Sequence, residues 1–270
     1  MAAPDIERVS RLIEEVAATE VMPRFNRLAP GEIRQKPSGE IVTVADEAVE
    51  SWLAPRLSDL LPGSCVVGEE AAAANPTLLD RLSEDRPVWL IDPVDGTSNF
   101  AEGRAAFAVM VALVRSGEIC AGWIHDPINA RTAAAARGEG AWLGTQRMAI
   151  ANAPQAVAEM TGTLLAGFFG SKELGRKVAA RRDRVRAIRS LRCAGLEYLR
   201  LAAGETHFSL FTKLMPWDHA AGVLLHGEAG GHGAYLDGSP YHPALVNQTG
   251  LLLAPDAASW RALHSLLFED

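Results

Sequence analysis

The sequence predicts a mixed α and β fold with two lobes, and three features of the 270-residue chain support this prediction. Two segments within the first 60 residues have the apolar periodicity of amphipathic helices. Residues 107–142 contain short strand-like segments separated by turn signals, which indicates an antiparallel meander. Beyond about residue 150, strand-like and helix-like segments alternate, as they do in α/β proteins.

The first lobe is predicted to begin with a helix over residues 5–21, for which Asp5 is a candidate N-cap. A loop rich in proline and glycine precedes the apolar segment 41–45, and a second helix is predicted over Glu47–Leu60. Asp46 is therefore expected where that helix begins. Two buried strands follow, residues 65–67 and 88–91, and acidic residues come directly after each of them.

In the second lobe, the apolar pattern predicts two strands and two helices. The strands are expected at Thr161–Ala166 and near Val185–Ile188. The helices are expected at Lys172–Arg182 and Leu196–Ala203.

The composition excludes several classes of protein. The apolar fraction of 48% is too high for a disordered chain, and a net charge of −7 does not favour coating of nucleic acid or of an anionic membrane. The longest apolar runs, such as residues 107–114, have about half the roughly 18 residues of a membrane span, and the start lacks the order of a signal peptide. Three widely spaced cysteines encode neither a disulfide framework nor a zinc site. We therefore expect a cytoplasmic protein.

Five carboxylates each stand at the end of an apolar segment, and they are Asp46, Glu69, Asp92, Asp95 and Asp218. Carboxylates that converge at strand ends are typical of a site for a hard cation such as Mg²⁺. Two such ions activate a water molecule and neutralise the departing oxygen of a phosphate ester, so direct attack by water is the expected chemistry. The alternative, that each motif is only a turn or a helix cap, is weak for the whole set.

The segment Asp92-Pro93-Val94-Asp95-Gly96-Thr97 also has a mechanical interpretation. Pro93 stiffens the turn, and Gly96 allows the backbone to approach a ligand closely. If a helix begins here, the amides of Gly96 and Thr97 are expected to point toward a phosphate.

These motifs resemble the inositol monophosphatase family of the wider sugar-phosphatase superfamily. The resemblance depends on residues 68–70, on the decapeptide 91–100 and on the Trp-Asp motif of residues 216–222. Supporting matches lie at residues 43–46, 138–142 and 228–231. Together they cover nearly the whole chain.

The resemblance implies an αβαβα sandwich that forms one catalytic unit, with sublobes of about residues 1–148 and 149–270. It implies a Mg²⁺-dependent phosphomonoesterase with two or three ions in each active site, a small soluble phosphate ester as substrate, and a homodimer. The implied metal ligands are the side chains of Glu69, Asp92, Asp95 and Asp218 and the carbonyl of Val94. Asp46, Glu69 and Thr97 would position and deprotonate the attacking water.

The implied substrate-binding residues are Asp95, Gly96, Thr97, Arg192, Cys193, Ala194, Phe211 and Asp218. The chain departs from the family pattern on the alcohol side, because Arg192-Cys193-Ala194 replaces a Gly-Ser/Thr-Ala segment and Phe211 replaces a glutamate. Phenylalanine accepts no hydrogen bond from a polyol, so inositol phosphate is in doubt as the substrate. Histidinol phosphate, a 3′-phosphoadenosine-type bisphosphate and a sugar bisphosphate are the alternatives.

Three single residues and one basic stretch each allow a functional and a purely structural interpretation. Lys36 resembles a lysine of the family's active-site loop, or it is a solvated loop residue. Arg192 meets a second anionic group of the substrate, or it points to solvent. His219 is better interpreted as a packed residue than as a ligand, since neighbouring helical residues point about 100° apart.

The basic stretch of residues 176–189 is the fourth feature, with seven Lys/Arg against one Asp. It is either a solvated surface or a contact for RNA, which would make the protein a regulatory RNA-associated binding protein. The stretch contains no aromatic side chain to stack on bases, so a nucleic-acid partner is not favoured.

Overall fold

A seven-stranded sheet, a five-stranded sheet, a hairpin and eight helices build the described part of the molecule. The structure, a computed structural model, describes residues 5–150, 153–154, 156–164, 172–248 and 250–269. The helices are α1 (Ile6–Val16), α2 (Val44–Leu60), α3 (Glu69–Ala74), α4 (Thr97–Ala101), α5 (Lys172–Arg181), α6 (Ala194–Ala202), α7 (Pro216–Glu228) and α8 (Ala257–Phe268). A π-helical segment, Ala17–Val21, continues α1, and 3-10 segments lie at Pro30–Glu32, Pro76–Ser83, Val157–Glu159 and Arg182–Arg184.

Fourteen strands are present in the described ranges. They are β1 (Ile33–Gln35), β2 (Ile41–Thr43), β3 (Cys65–Gly68), β4 (Val88–Asp95), β5 (Ala108–Arg115), β6 (Glu118–Asp126), β7 (Arg131–Ala136), β8 (Gly140–Leu143), β9 (Gln146–Met148), β10 (Thr161–Leu164), β11 (Arg186–Ile188), β12 (Phe208–Phe211), β13 (His232–Tyr235) and β14 (Leu251–Ala254). β1 and β2 form an antiparallel hairpin.

The large sheet contains seven strands in sequence order, β3 to β9, and only its first pair is parallel. The predicted meander is therefore confirmed. The small sheet has the order β11-β10-β12-β14-β13, in which β10 pairs in parallel with both of its neighbours. The predicted strand Thr161–Ala166 is confirmed as far as Leu164, and its last two residues lie outside the described ranges.

The helices form three layers around the two sheets. α1 and α2 pack on the outer face of the large sheet, α6 and α7 lie between the sheets, and α5 and α8 cover the outer face of the small sheet. Trp123 shows how the first layer is tied down, since its buried indole Nε1 donates to the carbonyl oxygen of Ile6 over 3.1 Å. The expected αβαβα sandwich is confirmed.

One strand differs from its prediction. β4 does not end at Ile91 but continues through Asp95, and its pairing with β5 shifts register between Asp92 and Asp95. Pro93 lies in this irregular stretch, where it has no N–H to donate to the ladder. The strand therefore extends past both acidic residues and carries them into the site.

Two of the supporting motifs contact each other directly. Glu228, at the end of α7, accepts hydrogen bonds from the amides of Gly138 (2.7 Å) and Gly140 (2.8 Å). Both glycines have positive φ angles, of 80° and 86°, which other residues adopt only at a cost. The carboxylate therefore fixes the β7–β8 turn against the central helical layer.

His226 gives this layer a predictable response to acid. It is buried in α7, its Nε2 atom has no hydrogen-bond partner among the described residues, and burial lowers its pKa to about 3. Since an unfolded histidine has a pKa of about 6.5, the unfolded state binds the extra proton first as the pH falls. We expect the free energy of unfolding to decrease by about 1.4 kcal/mol per pH unit below pH 6.5 from this residue.

The His226→Leu variant tests that expectation by urea denaturation between pH 7 and pH 4. Its free energy of unfolding should decrease less steeply with falling pH than that of the wild type. Other titrating groups, including His219 with its lowered pKa of about 4, are common to both proteins and cancel in the difference. Parallel pH profiles for the two proteins would contradict the expectation.

Candidate active site

The turn that follows β4 directs the backbone into a cavity of about 630 Å³. Gly96 has φ of +85°, and a Cβ atom at this position would lie 2.8 Å from the carbonyl oxygen of Ala106. Only glycine fits this turn without strain. α4 begins at the next residue, Thr97. The expectation that the amides of Gly96 and Thr97 point toward a phosphate required a helix to begin here, and the structure has one.

Three carboxylates meet beside this turn. Glu69, Asp92 and Asp218 each offer an oxygen atom, and these oxygens lie within 4.8 Å of one another. Burial and the neighbouring carboxylates raise the pKa of Asp92 well above its usual range, and burial raises that of Asp218 to about 8. Oδ1 of Asp92 has no hydrogen-bond partner among the described residues. A buried, unpaired carboxylate oxygen among other carboxylates fits a hard cation such as Mg²⁺.

Asp46 and Thr97 form a hydrogen-bonded pair next to these carboxylates. Asp46 is fully buried near the start of α2, where its Oδ2 accepts from the amide (2.8 Å) and the hydroxyl (2.6 Å) of Thr43 in a capping box. The hydroxyl of Thr97 lies 3.1 Å from Asp46 Oδ1 and 2.9 Å from the carbonyl oxygen of Val94. Burial raises the pKa of Asp46 to about 7, so it suits the role of a proton acceptor near neutral pH.

Lys36 lies in the site and not in solvent. It is 9% exposed, and its Nζ donates to Glu69 and to Glu70 over 2.7 Å each. Burial alone would lower its pKa, but the two carboxylates raise it, so the ammonium group is charged. The interpretation as a solvated loop lysine is wrong, because the β1–β2 hairpin folds back onto the start of α3.

Glu50, on α2, fixes the start of α3 through two hydrogen bonds. This residue was not identified from the sequence. Its two carboxylate oxygens accept from the amides of Glu70 (2.8 Å) and Ala71 (2.9 Å). A Cβ atom at Gly68 would lie 2.1 Å from the Glu50 carboxyl carbon, so this approach requires glycine. A charged residue on the buried face of α2 was the available signal.

Asp95 does not belong to the three-carboxylate group. Its Oδ1 accepts from the amide of Ala194 (3.1 Å), and its Oδ2 accepts from the amide of Gly195 (2.6 Å) and from Cys193 Sγ (3.0 Å). The polar atoms of Cys193 and Ala194 therefore point to Asp95, while both residues line the cavity. The structure brings all three residues together at the cavity.

The far wall of the cavity carries the residues that depart from the family pattern. Phe211 is buried, and its ring lies 5.1 Å from that of Tyr198 and 4.9 Å from that of His219. His219 bonds through Nδ1 to the hydroxyl of Tyr198 and through Nε2 to the carbonyl oxygen of Lys213. The interpretation of His219 as a packed residue is confirmed. Arg192 is exposed at the cavity mouth, with a φ angle of +56°.

Two further buried residues, which sequence reasoning missed, fix the segment around Arg192. Glu197 accepts from the hydroxyl of Ser190 and from the amide of Leu191 (3.0 Å). Asn99 donates to the carbonyl oxygens of Leu191 (2.9 Å) and Arg192 (3.2 Å). Their partners lie far away in sequence or on the backbone, so no local pattern indicated them.

Comparison with known proteins shows that the chain is similar to inositol monophosphatases. The model of the inositol monophosphatase family matches residues 5–270. An inositol-1-monophosphatase of Bacillus subtilis is 29% identical over 235 residues, which cover 86% of this chain and 83% of that protein. A protein of Xylella fastidiosa named Nus factor SuhB is 30% identical over 80% of this chain and 76% of its own.

A solved inositol monophosphatase structure from Thermotoga maritima has the same fold. The TM-score is 0.79 at 24% identity, and the match covers 97% of both chains. The described helices are all too short or too polar to cross a membrane. Since the family model spans the acidic motifs, the Trp-Asp helix and both sheets that position them, the chain belongs to the inositol monophosphatase family, and this membership indicates a phosphatase that acts on small phosphate esters.

Proposed function

We propose that the protein is a Mg²⁺-dependent phosphomonoesterase that hydrolyses a small soluble phosphate ester. The observation that carries this proposal is the group formed by Glu69, Asp92 and Asp218 beside the Asp46–Thr97 pair. The carboxylates offer the oxygen ligands that Mg²⁺ prefers, and the pair offers a proton acceptor.

The proposed metal ligands are Glu69, Asp92, Asp95, Asp218 and the carbonyl of Val94, which would hold two or three ions. Bound Mg²⁺ would supply positive charge to the phosphoryl and leaving oxygens in the transition state. Asp95 now accepts three hydrogen bonds from residues 193–195, so it connects the metal side of the cavity to the substrate side.

The chain's own residues would orient the water and take up its proton. The hydroxyl of Thr97, with Glu69, orients the water, and Asp46 accepts the proton through Thr97. A bond forms between the water oxygen and phosphorus, the bond to the ester oxygen breaks, and its electron pair leaves with that oxygen, which is protonated by solvent. The amides of Gly96 and Thr97 support the phosphate.

A substrate panel tests the proposal. Phosphate release would be measured from inositol 1-phosphate, histidinol phosphate, 3′-phosphoadenosine 5′-phosphate and fructose 1,6-bisphosphate, with and without Mg²⁺. We expect release that requires Mg²⁺, is lost in Asp95→Asn and is kept in Asp80→Asn, a variant of an exposed aspartate. No release from any ester would contradict the proposal.

Glu50 should control the affinity of the site for Mg²⁺. The carboxylate of Glu50 accepts from the backbone amides of Glu70 and Ala71, whereas the glutamine side chain in Glu50→Gln has only one acceptor oxygen. Its NH₂ group would face the second amide, which is also a donor, so that hydrogen bond is lost. The start of α3 would then shift, and Glu69 with it. We expect the affinity for Mg²⁺ to decrease by about tenfold or more, as for other residues that orient metal ligands.

Isothermal titration calorimetry with Mg²⁺ measures this affinity directly. The matched control is Glu47→Gln on the same helix, where an exposed carboxylate pairs with Arg34. Equal Mg²⁺ affinities for Glu50→Gln and the wild type would exclude a positioning role for Glu50.

The assembly and location of the protein are part of the same proposal. We infer one catalytic unit with sublobes of about residues 1–148 and 149–270, a homodimer, and a cytoplasmic location. α6 and α7 support the single unit, because they pack against both sheets. Light scattering of the purified protein tests the dimer.

A regulatory RNA-associated role is the second candidate. It is favoured by the name of the Xylella relative and by exposed arginines at residues 176, 182, 184, 186 and 189, from α5 to the residue that follows β11. This role predicts RNA binding that weakens with salt and persists in Asp95→Asn. The absence of any RNA mobility shift at low salt would exclude it.

A further inference from the structure

The cavity is lined by two cationic side chains as well as by carboxylates. Among the described residues, Arg192 and Lys213 are the cationic side chains that line it, and Glu40 and Glu197 line it together with the carboxylate group of Glu69, Asp92 and Asp218. Phe211 also lines the cavity and has no hydrogen-bonding atom in its side chain. Arg192 and Lys213 are therefore the groups that the cavity offers to an anionic part of a ligand.

The backbone of Arg192 is fixed by buried groups. Its amide donates to Ser190 Oγ over 2.9 Å, and its carbonyl oxygen accepts from Asn99 Nδ2 over 3.2 Å. Glu197, which is 4% exposed, anchors Ser190 in turn. These bonds hold Arg192 at a φ angle of +56°, which non-glycine residues rarely adopt and which is common at ligand sites. The side chain of Arg192, a residue that lines the cavity, thus extends from a rigid support.

Lys213 has an equally firm support. Its carbonyl oxygen accepts from Nε2 of buried His219 over 2.7 Å, and His219 is fixed by the hydroxyl of Tyr198. Burial works against the charge of Lys213, but the carboxylates of Asp218 and Glu40 raise its pKa, so the ammonium group is charged. Its Nζ forms an ion pair with Glu40.

Glu40 has the properties of an anion that a ligand can replace. It lies at the end of the β1–β2 turn, its side chain is 37% exposed, and it also accepts from Ser38 Oγ over 3.1 Å. If Lys213 turned to another anion, Glu40 would keep Ser38 and gain water. Its carboxylate therefore marks a place in the cavity where an anion is stable beside Lys213.

We propose that Arg192 and Lys213 bind a second phosphate group on the alcohol part of the substrate, and that Glu40 occupies Lys213 when this phosphate is absent. The preferred substrate is then a small bisphosphate. Guanidinium pairs with two phosphate oxygens at once, and an ammonium group contributes a compact charge. This inference rests on the proposed phosphatase function and narrows its substrate class.

Matched ester pairs that differ only in the second phosphate test the proposal. The pairs are inositol 1-phosphate with inositol 1,4-bisphosphate, and fructose 1-phosphate with fructose 1,6-bisphosphate. In each pair, the wild type should have a kcat/KM at least about tenfold higher for the bisphosphate, as expected for a charge-assisted contact. The measured quantity is this ratio.

Three variants should change the ratio in opposite directions. Arg192→Met and Lys213→Met should each lower it about tenfold, mainly through a higher KM for the bisphosphate. Glu40→Gln should raise it, because the carboxylate that forms an ion pair with Lys213 is gone. Arg115→Met, which removes an exposed arginine at the end of β5, should leave the ratio unchanged. Equal kcat/KM values within both pairs, or a lower ratio in Glu40→Gln, would overturn the proposal.

A binding measurement separates this proposal from the phosphatase function. Calorimetry with Asp46→Asn, which should bind esters without turnover, compares the Kd values of each pair. Tighter binding of the bisphosphate than of the monophosphate supports the second-phosphate site. If the wild type hydrolyses no ester, that result counts against the phosphatase function and not against this site. Equal Kd values would overturn the site.

Discussion

Replacing Asp92 with asparagine is expected to abolish phosphatase activity and, without Mg²⁺, to raise the unfolding temperature of the protein. Asp92 is 2% exposed, and its Oδ1 has no hydrogen-bond partner in the described part of the chain. In the metal-free protein its charge is unfavourable, because it is buried close to Glu69, Asp95 and Asp218. Asparagine has nearly the same shape without that charge.

The sign of the pH dependence follows from the raised pKa. A carboxyl group whose folded pKa exceeds its unfolded value of about 3.9 stabilises the folded state below that value and loses this contribution as the pH rises. The metal-free wild type should therefore lose stability relative to Asp92→Asn between pH 4 and pH 8. At pH 8 we expect the Tm of the variant to be higher by about 3 °C or more.

Addition of Mg²⁺ should reverse the order of the two proteins. Mg²⁺ at 100 times its Kd would stabilise the folded wild type by about 2.7 kcal/mol. The variant lacks the Asp92 carboxylate that would bind the metal, so it should gain less stability. Its kcat should be lower by about a thousandfold or more, since the charge that the metals bring to the transition state is lost.

Differential scanning fluorimetry with and without Mg²⁺, together with phosphate release, checks both halves of this prediction. Asp80→Asn is the control, because it also removes one carboxylate but at an exposed position. A lower Tm for metal-free Asp92→Asn than for the wild type at pH 8 would contradict the prediction. It would show that the charge of Asp92 does not destabilise the folded protein.

The parts of the site that were predictable from sequence are those encoded in local patterns. Glu69 is the first residue of α3 and Asp218 lies in the first turn of α7, each within a short motif, and the turn at Gly96 is encoded by glycine itself. The helices predicted at residues 5–21, 47–60, 172–182 and 196–203 and the meander were predictable for the same reason, because their apolar periodicity is local.

The supporting residues were not predictable, because their roles depend on contacts that only the folded chain creates. Glu50 bonds to amides 20 and 21 residues away, and Asn99 donates to the carbonyl oxygens of Leu191 and Arg192, 92 and 93 residues away. Lys213 meets Glu40 across 173 residues. A lone charged residue in the sequence does not indicate which distant amide or ion it will meet.

Removing the hydroxyl of Thr97 should lower kcat strongly and leave Mg²⁺ binding nearly unchanged. The hydroxyl has one proton and two acceptors, Asp46 Oδ1 at 3.1 Å and the Val94 carbonyl at 2.9 Å. It therefore connects the proposed water to Asp46 without itself being a charged ligand. We expect Thr97→Val to lower kcat by about a hundredfold or more, the usual contribution of a positioned proton-transfer group.

The partnership between Thr97 and Asp46 is tested by a double-mutant cycle. If the two residues act as one unit, Asp46→Asn and Thr97→Val should each cause most of the loss in kcat, and the double variant should be little worse than either. Thr97→Ser keeps the hydroxyl and should retain most of the activity, which separates the loss of the proton path from a change in packing. Since Asp46 is fully buried and capped by Thr43, its orientation should survive these changes at Thr97. Losses in kcat that multiply in the double variant would show that the two residues act independently, and this would exclude a proton path from the water through Thr97 to Asp46.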